Sequence, residues 1–104
     1  MIITTTNNIE GKTIEKYIDM VHGECIIGTN VFKDLFASIT EVLGGRNSAY
    51  EKVLREAKEV AMEELRSKAR EMGANAVIGI DLDFEKIGEG ILMVSANGTA
   101  VSYK

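Results

Sequence analysis

Apolar and polar positions alternate with period two from Ala76 to Glu85. Ala76, Ile78, Ile80, Leu82 and Phe84 point one way, and Val77, Gly79, Asp81 and Asp83 the other, which predicts a strand. The stretch before it has helical spacing. Tyr50, Val53, Leu54, Ala57, Val60, Ala61, Leu65 and Met72 form one stripe, with Glu51–Arg55 and Glu64–Lys68 among the charges opposite. Ser48 with Glu51 three residues on is a capping-box pairing, and Gly73 stops the helix. An earlier stripe of Phe32, Leu35, Phe36, Ile39, Val42 and Leu43 predicts another helix, opened by Gly28-Thr29-Asn30 and closed by Gly44-Gly45. Further strands are expected near Ile2–Thr5, from about Lys12 to Ile27 with an interruption at Gly23, and from Ile91 to about Tyr103. The order strand, strand, helix, helix, strand, strand predicts an α+β fold, a mainly antiparallel sheet packed by two helices.

The last strand adds a constraint. Leu92, Val94 and Ala96 alternate with Ile91, Met93 and Ser95, so both of its faces carry apolar groups. Two helices do not readily cover both sides, and self-association is the economical way to cover the second.

A length of 104 residues gives a single domain over 1–104, with no room for two cores. Such a chain buries roughly 60–70% of its unfolded surface, so it folds alone but gains from association. The formal charge of −4 argues against a nucleic-acid partner, which needs a basic face. The single cysteine, Cys25, excludes an intramolecular disulfide and suits a reducing cytoplasm. The start, Met1-Ile2-Ile3-Thr4-Thr5-Thr6, lacks a basic n-region, and no apolar run approaches a membrane span. The expectation is a soluble, cytoplasmic domain with neither nucleic-acid nor membrane partner.

Three groups of residues, taken in order, resemble the YbjQ-like family of small bacterial proteins. They are Gly23-Glu24 through Gly28-Thr29-Asn30-Val31-Phe32, then Gly44-Gly45-Arg46 with the long helix and Gly73 to Asp83, then Met93 to Val101. The resemblance covers nearly the whole chain. It implies a compact α+β subunit of the dodecin-like type, assembled as a ring-shaped homopentamer, and a family label of heavy-metal binding.

A soft-metal site wants several Cys, His or Met converging on one point. The one histidine and the one cysteine lie in His22-Gly23-Glu24-Cys25. In a regular strand His22 and Glu24 share a face while Cys25 faces oppositely, unless a bulge at Gly23 realigns them. A ring would repeat each ligand once per subunit, whereas the plainer reading makes Cys25 a small buried hydrophobe and His22 a surface or interface residue. Asp81 and Asp83 suit a hard cation, with Glu85 as a further oxygen donor, or one shared proton. The plainer reading there is a charged strand face that blocks aggregation. Gly44-Gly45-Arg46-Asn47-Ser48 runs into a helix N-terminus, where Arg46 adds a bidentate donor for an anion. It lacks a Walker lysine, and the plainer reading is an interhelical turn.

The expected function is that of a non-enzymatic homo-oligomer binding a divalent or heavy-metal ion through Asp81, Asp83 and His22. The alternative is a small-ligand or anion binder with its site at subunit interfaces near Arg46.

Overall fold

A computed structural model describes residues 1–28 and 48–104, with the backbone alone for residues 48–50. The described elements are β1 (Ile2–Ile3), β2 (Ile14–Ile27), α1 (Ser48–Glu71), β3 (Ala76–Gly88) and β4 (Ile91–Tyr103). The helix expected over 32–43, the Gly44-Gly45 turn and Arg46 lie outside the described residues. So does the Ser48 side chain expected to cap α1.

The four strands form one mixed sheet in the order β1-β3-β4-β2. β4 is central and antiparallel to both β2 and β3. β1 pairs in parallel with β3 over Ile2↔Ala76 and Ile3↔Val77, so the sheet is not antiparallel throughout. This first strand is shorter than expected because the chain leaves the ladder at Thr4 to serve an irregular stretch of β3. The Thr6 carbonyl accepts from the Gly79 amide at 2.8 Å and the Thr4 carbonyl from the Ile80 amide at 3.1 Å.

α1 lays Ala57, Ala61, Leu65 and Ala69 on the sheet, at spacings of four, with Met62 beside them. Val60 and Met72, assigned to the apolar stripe from spacing, are instead exposed at 53% and 37%. Val60 sits on the flank of the contact line, and Met72 lies past the last turn. The helix end follows the expected glycine. Gly73 has φ +85, its amide donates to the Arg70 carbonyl, and the Ala74 amide donates to the Ala69 carbonyl. This pair of bonds is the Schellman motif, which satisfies two carbonyls that would otherwise be left over. Asn75 then fixes the start of β3 to the end of β4, its side chain exchanging two hydrogen bonds with the Tyr103 backbone at 2.9 and 3.0 Å.

β3 does not keep the single alternation expected of it. Ile78 pairs with Thr99, but Asp81 pairs with Asn97, three steps on β3 against two on β4. The extra residue is a bulge at Gly79, where φ is +61. Sidedness therefore reverses. Ala76 and Ile78 lie on the face away from the helix, whereas Val77 packs with Ile80 and Leu82 under the helix. Gly98 on β4 makes this possible, because a Cβ there would stand 2.7 Å from Val77 Cγ1 and 3.1 Å from Ile80 Cγ1.

The core under α1 joins Val21, Ile27, Val77, Ile80, Val94, Ala96 and Ala100 to the helix. On the other face a second cluster joins Ala76, Ile78 and Val101, covered by Ile2, Ile9, Ile14 and Tyr103. The chain's own N-terminal segment thus covers part of the face for which a second subunit was expected. Toward the β3–β4 turn that cover is missing, and Ile26, on this face opposite Met93, is 55% exposed.

Candidate functional site

The face of the sheet away from α1 carries a band of polar residues in register. One rung is His22–Asn97–Asp81 and the next is Glu24–Ser95–Asp83, each running from β2 through β4 to β3. Cross-strand partners share a face, and residues two apart on one strand share it too. All three residues named as metal candidates, His22, Asp81 and Asp83, therefore lie on this one face. Asp81 and Asp83 share it because the Gly79 bulge sets the phase of β3, not because of the alternation read from Val77.

Gly23 does not bulge. The register passes through Val21↔Gly98, His22↔Asn97, Gly23↔Ala96 and Glu24↔Ser95 without a shift. Cys25 accordingly faces the helix, and the thiol and the imidazole are on opposite sides of the sheet. The absence of a side chain at Gly23 serves packing, since α1 passes directly over it at Ala61 and Leu65.

His22 is held at both nitrogens. Nδ1 lies 2.8 Å from Asn97 Oδ1 and Nε2 lies 3.3 Å from Glu24 Oε2. Both partners are acceptors, and only the imidazolium donates from both nitrogens at once. The Asn97 bond, then the Glu24 bond and charge, raise the His22 pKa above its ordinary 6.5, against partial burial and Lys68. A protonated imidazole is no metal ligand, so two acceptors on the ring count against His22 as one.

Asp81 and Asp83 act on each other. Hydrogen bonding with Asp81, then its charge, raises the Asp83 pKa above the ordinary carboxylate value, with a smaller push from Glu85. Two carboxylates held this close favour one shared proton or one shared cation.

Ser95 lies between Glu24 and Asp83 and is 5% exposed, the one buried polar residue among those described. Among the described residues its hydroxyl has no hydrogen-bond partner. An unpaired buried hydroxyl costs about 1–3 kcal/mol, which makes this position conspicuous. Reading the sequence alone missed both Ser95 and Asn97. The signal available was their odd-numbered phase on the last strand, opposite the apolar Val94 and Ala96.

Among the described residues no group of three or more His, Cys, Asp or Glu converges on a point. The face thus fits a sparse oxygen site of two carboxylates and a hydroxyl, and does not fit a thiolate–imidazole site. On the other side of the sheet, a cleft of about 290 Å³ opens between Cys25, Ile26 and Ile27 of β2 and Val53, Ala57 and Val60 of α1. Burial and the nearby Glu64 charge push the Cys25 thiol up, favouring its protonated form. Among the described residues no helix is long and apolar enough to cross a membrane.

Comparison with known proteins agrees with this architecture. A UPF0145 protein of Anoxybacillus flavithermus is 57% identical over 104 residues, covering 100% of this chain and 99% of its own. One from Geobacillus kaustophilus is 56% identical over the same length, with the same coverage. Among solved structures, a protein of unknown function from Pediococcus pentosaceus, assigned to the DUF74 family, superposes with a TM-score of 0.60. It covers 100% of this chain and 98% of its own at 19% identity, a likeness of fold alone. The model of the YbjQ family, described as "Putative heavy-metal-binding", matches residues 1–104. From end to end, then, this chain belongs to the YbjQ family of UPF0145 proteins.

Proposed function

We propose that this protein is a non-enzymatic, cytoplasmic homo-oligomer that binds a metal ion on the face of its sheet away from α1. The observation that carries this reading is the pair of carboxylates Asp81 and Asp83 on that face, in register with Asn97 and the buried Ser95. The family's metal-binding label supports it independently.

Self-association is supported by what a single chain leaves uncovered. β2 ends the sheet with no neighbour on its outer side among the described strands, and it is 14 residues long. Tyr17 and Met20, both on β2, are 66% and 78% exposed. A long unpaired edge with exposed apolar side chains is a surface that another copy can cover. A ring of five is the expected closure, and each ligand then recurs once per subunit.

Native mass spectrometry of untagged protein, purified without chelators, tests both parts. The expected result is a pentamer retaining metal. A monomer overturns the assembly, and a pentamer that neither retains metal nor takes it up overturns the metal role.

A further inference from the structure

We propose that Asp81, Asp83 and Ser95 form a site for a hard divalent cation of the Mg²⁺ or Mn²⁺ class, bound through oxygen and keeping part of its water shell. The inference rests on the metal-binding reading above and narrows it to a class of metal, a donor set and a place.

Three observations converge. Asp81 and Asp83 stand two residues apart on β3 and on the same face, opposite Asn97 and Ser95 of β4. Ser95 is 5% exposed and, among the described residues, its hydroxyl has no partner, although it lies on the rung of Asp83. A buried donor and acceptor without a partner next to two carboxylates is satisfied when a bound cation or one of its waters fills the gap. The softer donors are elsewhere. Cys25 points into the helix side of the sheet, and both nitrogens of His22 are taken by Asn97 and Glu24.

The small number of protein ligands selects among metals. Mg²⁺ and its close analogue Mn²⁺ dehydrate reluctantly and are commonly held by one or two carboxylates plus waters. Soft ions need thiolate or several imidazoles, which this face does not bring together. A hydrated hard cation bridging Asp81 and Asp83 would also relieve their mutual repulsion.

The test is titration of metal-free protein with Mn²⁺, followed by the paramagnetic resonance of the free ion, with Mg²⁺ as competitor and Cd²⁺ in a parallel series. The variants are D81N, D83N, S95A, H22A and C25S, each checked for native circular dichroism and thermal unfolding. Mn²⁺ is expected to bind and to be displaced by Mg²⁺. D81N and D83N should weaken binding roughly tenfold or more, and S95A about two- to tenfold, the range of one hydrogen bond. H22A and C25S should leave it within about twofold. Retention of Mn²⁺ affinity in D81N and D83N, or an unchanged S95A, overturns the assignment. Cd²⁺ binding that C25S or H22A abolishes, without Mn²⁺ binding, overturns the hard-cation inference and leaves the metal-binding reading standing. Binding of neither ion removes both.

Discussion

Gly23 of β2 lies against the backbone of Ala61 of α1, with no space for a methyl group between them. A Cβ at Gly23 would overlap the Ala61 carbonyl oxygen and come within 2.7 Å of the Leu65 amide nitrogen. Both neighbours are helix backbone, so neither can turn aside as a flexible side chain would.

Gly23→Ala should therefore force α1 away from the sheet and cost about 1–3 kcal/mol or more, the usual range for overpacking. Urea unfolding measures it, with Gly28→Ala as the control because, among the described residues, nothing lies within 4 Å of that position. Equal midpoints for the two variants would show that the helix does not rest on Gly23.

Gly79→Ala tests the bulge. Its φ of +61 is the left-handed region, while a Cβ there meets only Asn7 Oδ1 at an ordinary 3.8 Å. The expected cost is backbone strain of about 1–2 kcal/mol. In amide spectra the changes should concentrate around Gly79, Ile80 and their partners Thr4 and Thr6.

These two glycines also mark where a sequence pattern stops being informative. Gly73 was legible as a helix stop because one residue at a fixed place in a helix end has one dominant use. The strands Ala76–Gly88 and Ile91–Tyr103 were legible from period-two alternation, and the long helix from its alanine and leucine spacing. Gly79 was not legible as a phase reversal, because an apolar residue on either side lets the alternation be read straight through it. Gly23 suggested a bulge, but a strand glycine equally signals close backbone approach, and only the position of Ala61 decides between them. The site shared the same fate. Asp81 and Asp83 stood out as charges, whereas Ser95 and Asn97 gained meaning only from register with β2 and β3.

His22 should titrate above 6.5 in the folded protein, and Asn97→Ala should bring it down, since the Asn97 bond is the largest cause of the shift. The linkage has a definite sign. A raised folded pKa contributes stability that is full below the unfolded value near 6.5 and is lost as pH rises through the folded value. The gap in unfolding midpoint between wild type and Asn97→Ala should thus narrow above that window. NMR of the imidazole protons against pH reads the first effect, and thermal unfolding across the window reads the second.

Asp83→Asn should raise the thermal midpoint at neutral pH in metal-free buffer. The Asp83 pKa is raised, so the folded state favours its protonated form, and ionisation of the pair is a penalty that appears as pH rises. In acid, below the ordinary carboxylate range, the wild-type pair is already protonated and the difference should vanish. A variant less stable than wild type at neutral pH would mean that the pair attracts some compensating charge.

Met20→Glu places a charge on the most exposed of the large apolar side chains among the described residues, on the outermost described strand. Covered by a second copy, that charge would be buried without a partner. Analytical ultracentrifugation should show a shift toward smaller species with unchanged circular dichroism. Assembly that ignores the substitution would place the contact elsewhere.

The Gly79 bulge has a consequence for how this strand tolerates change. Across most strands a substitution scan gives one rhythm, with every second position sensitive from end to end. Along β3 the rhythm should slip by one beat: Val77, Ile80 and Leu82 would respond together as helix-side positions, and Ile78, Asp81 and Asp83 as their opposites. A scan that heard an uninterrupted even-odd beat would be listening to a different fold.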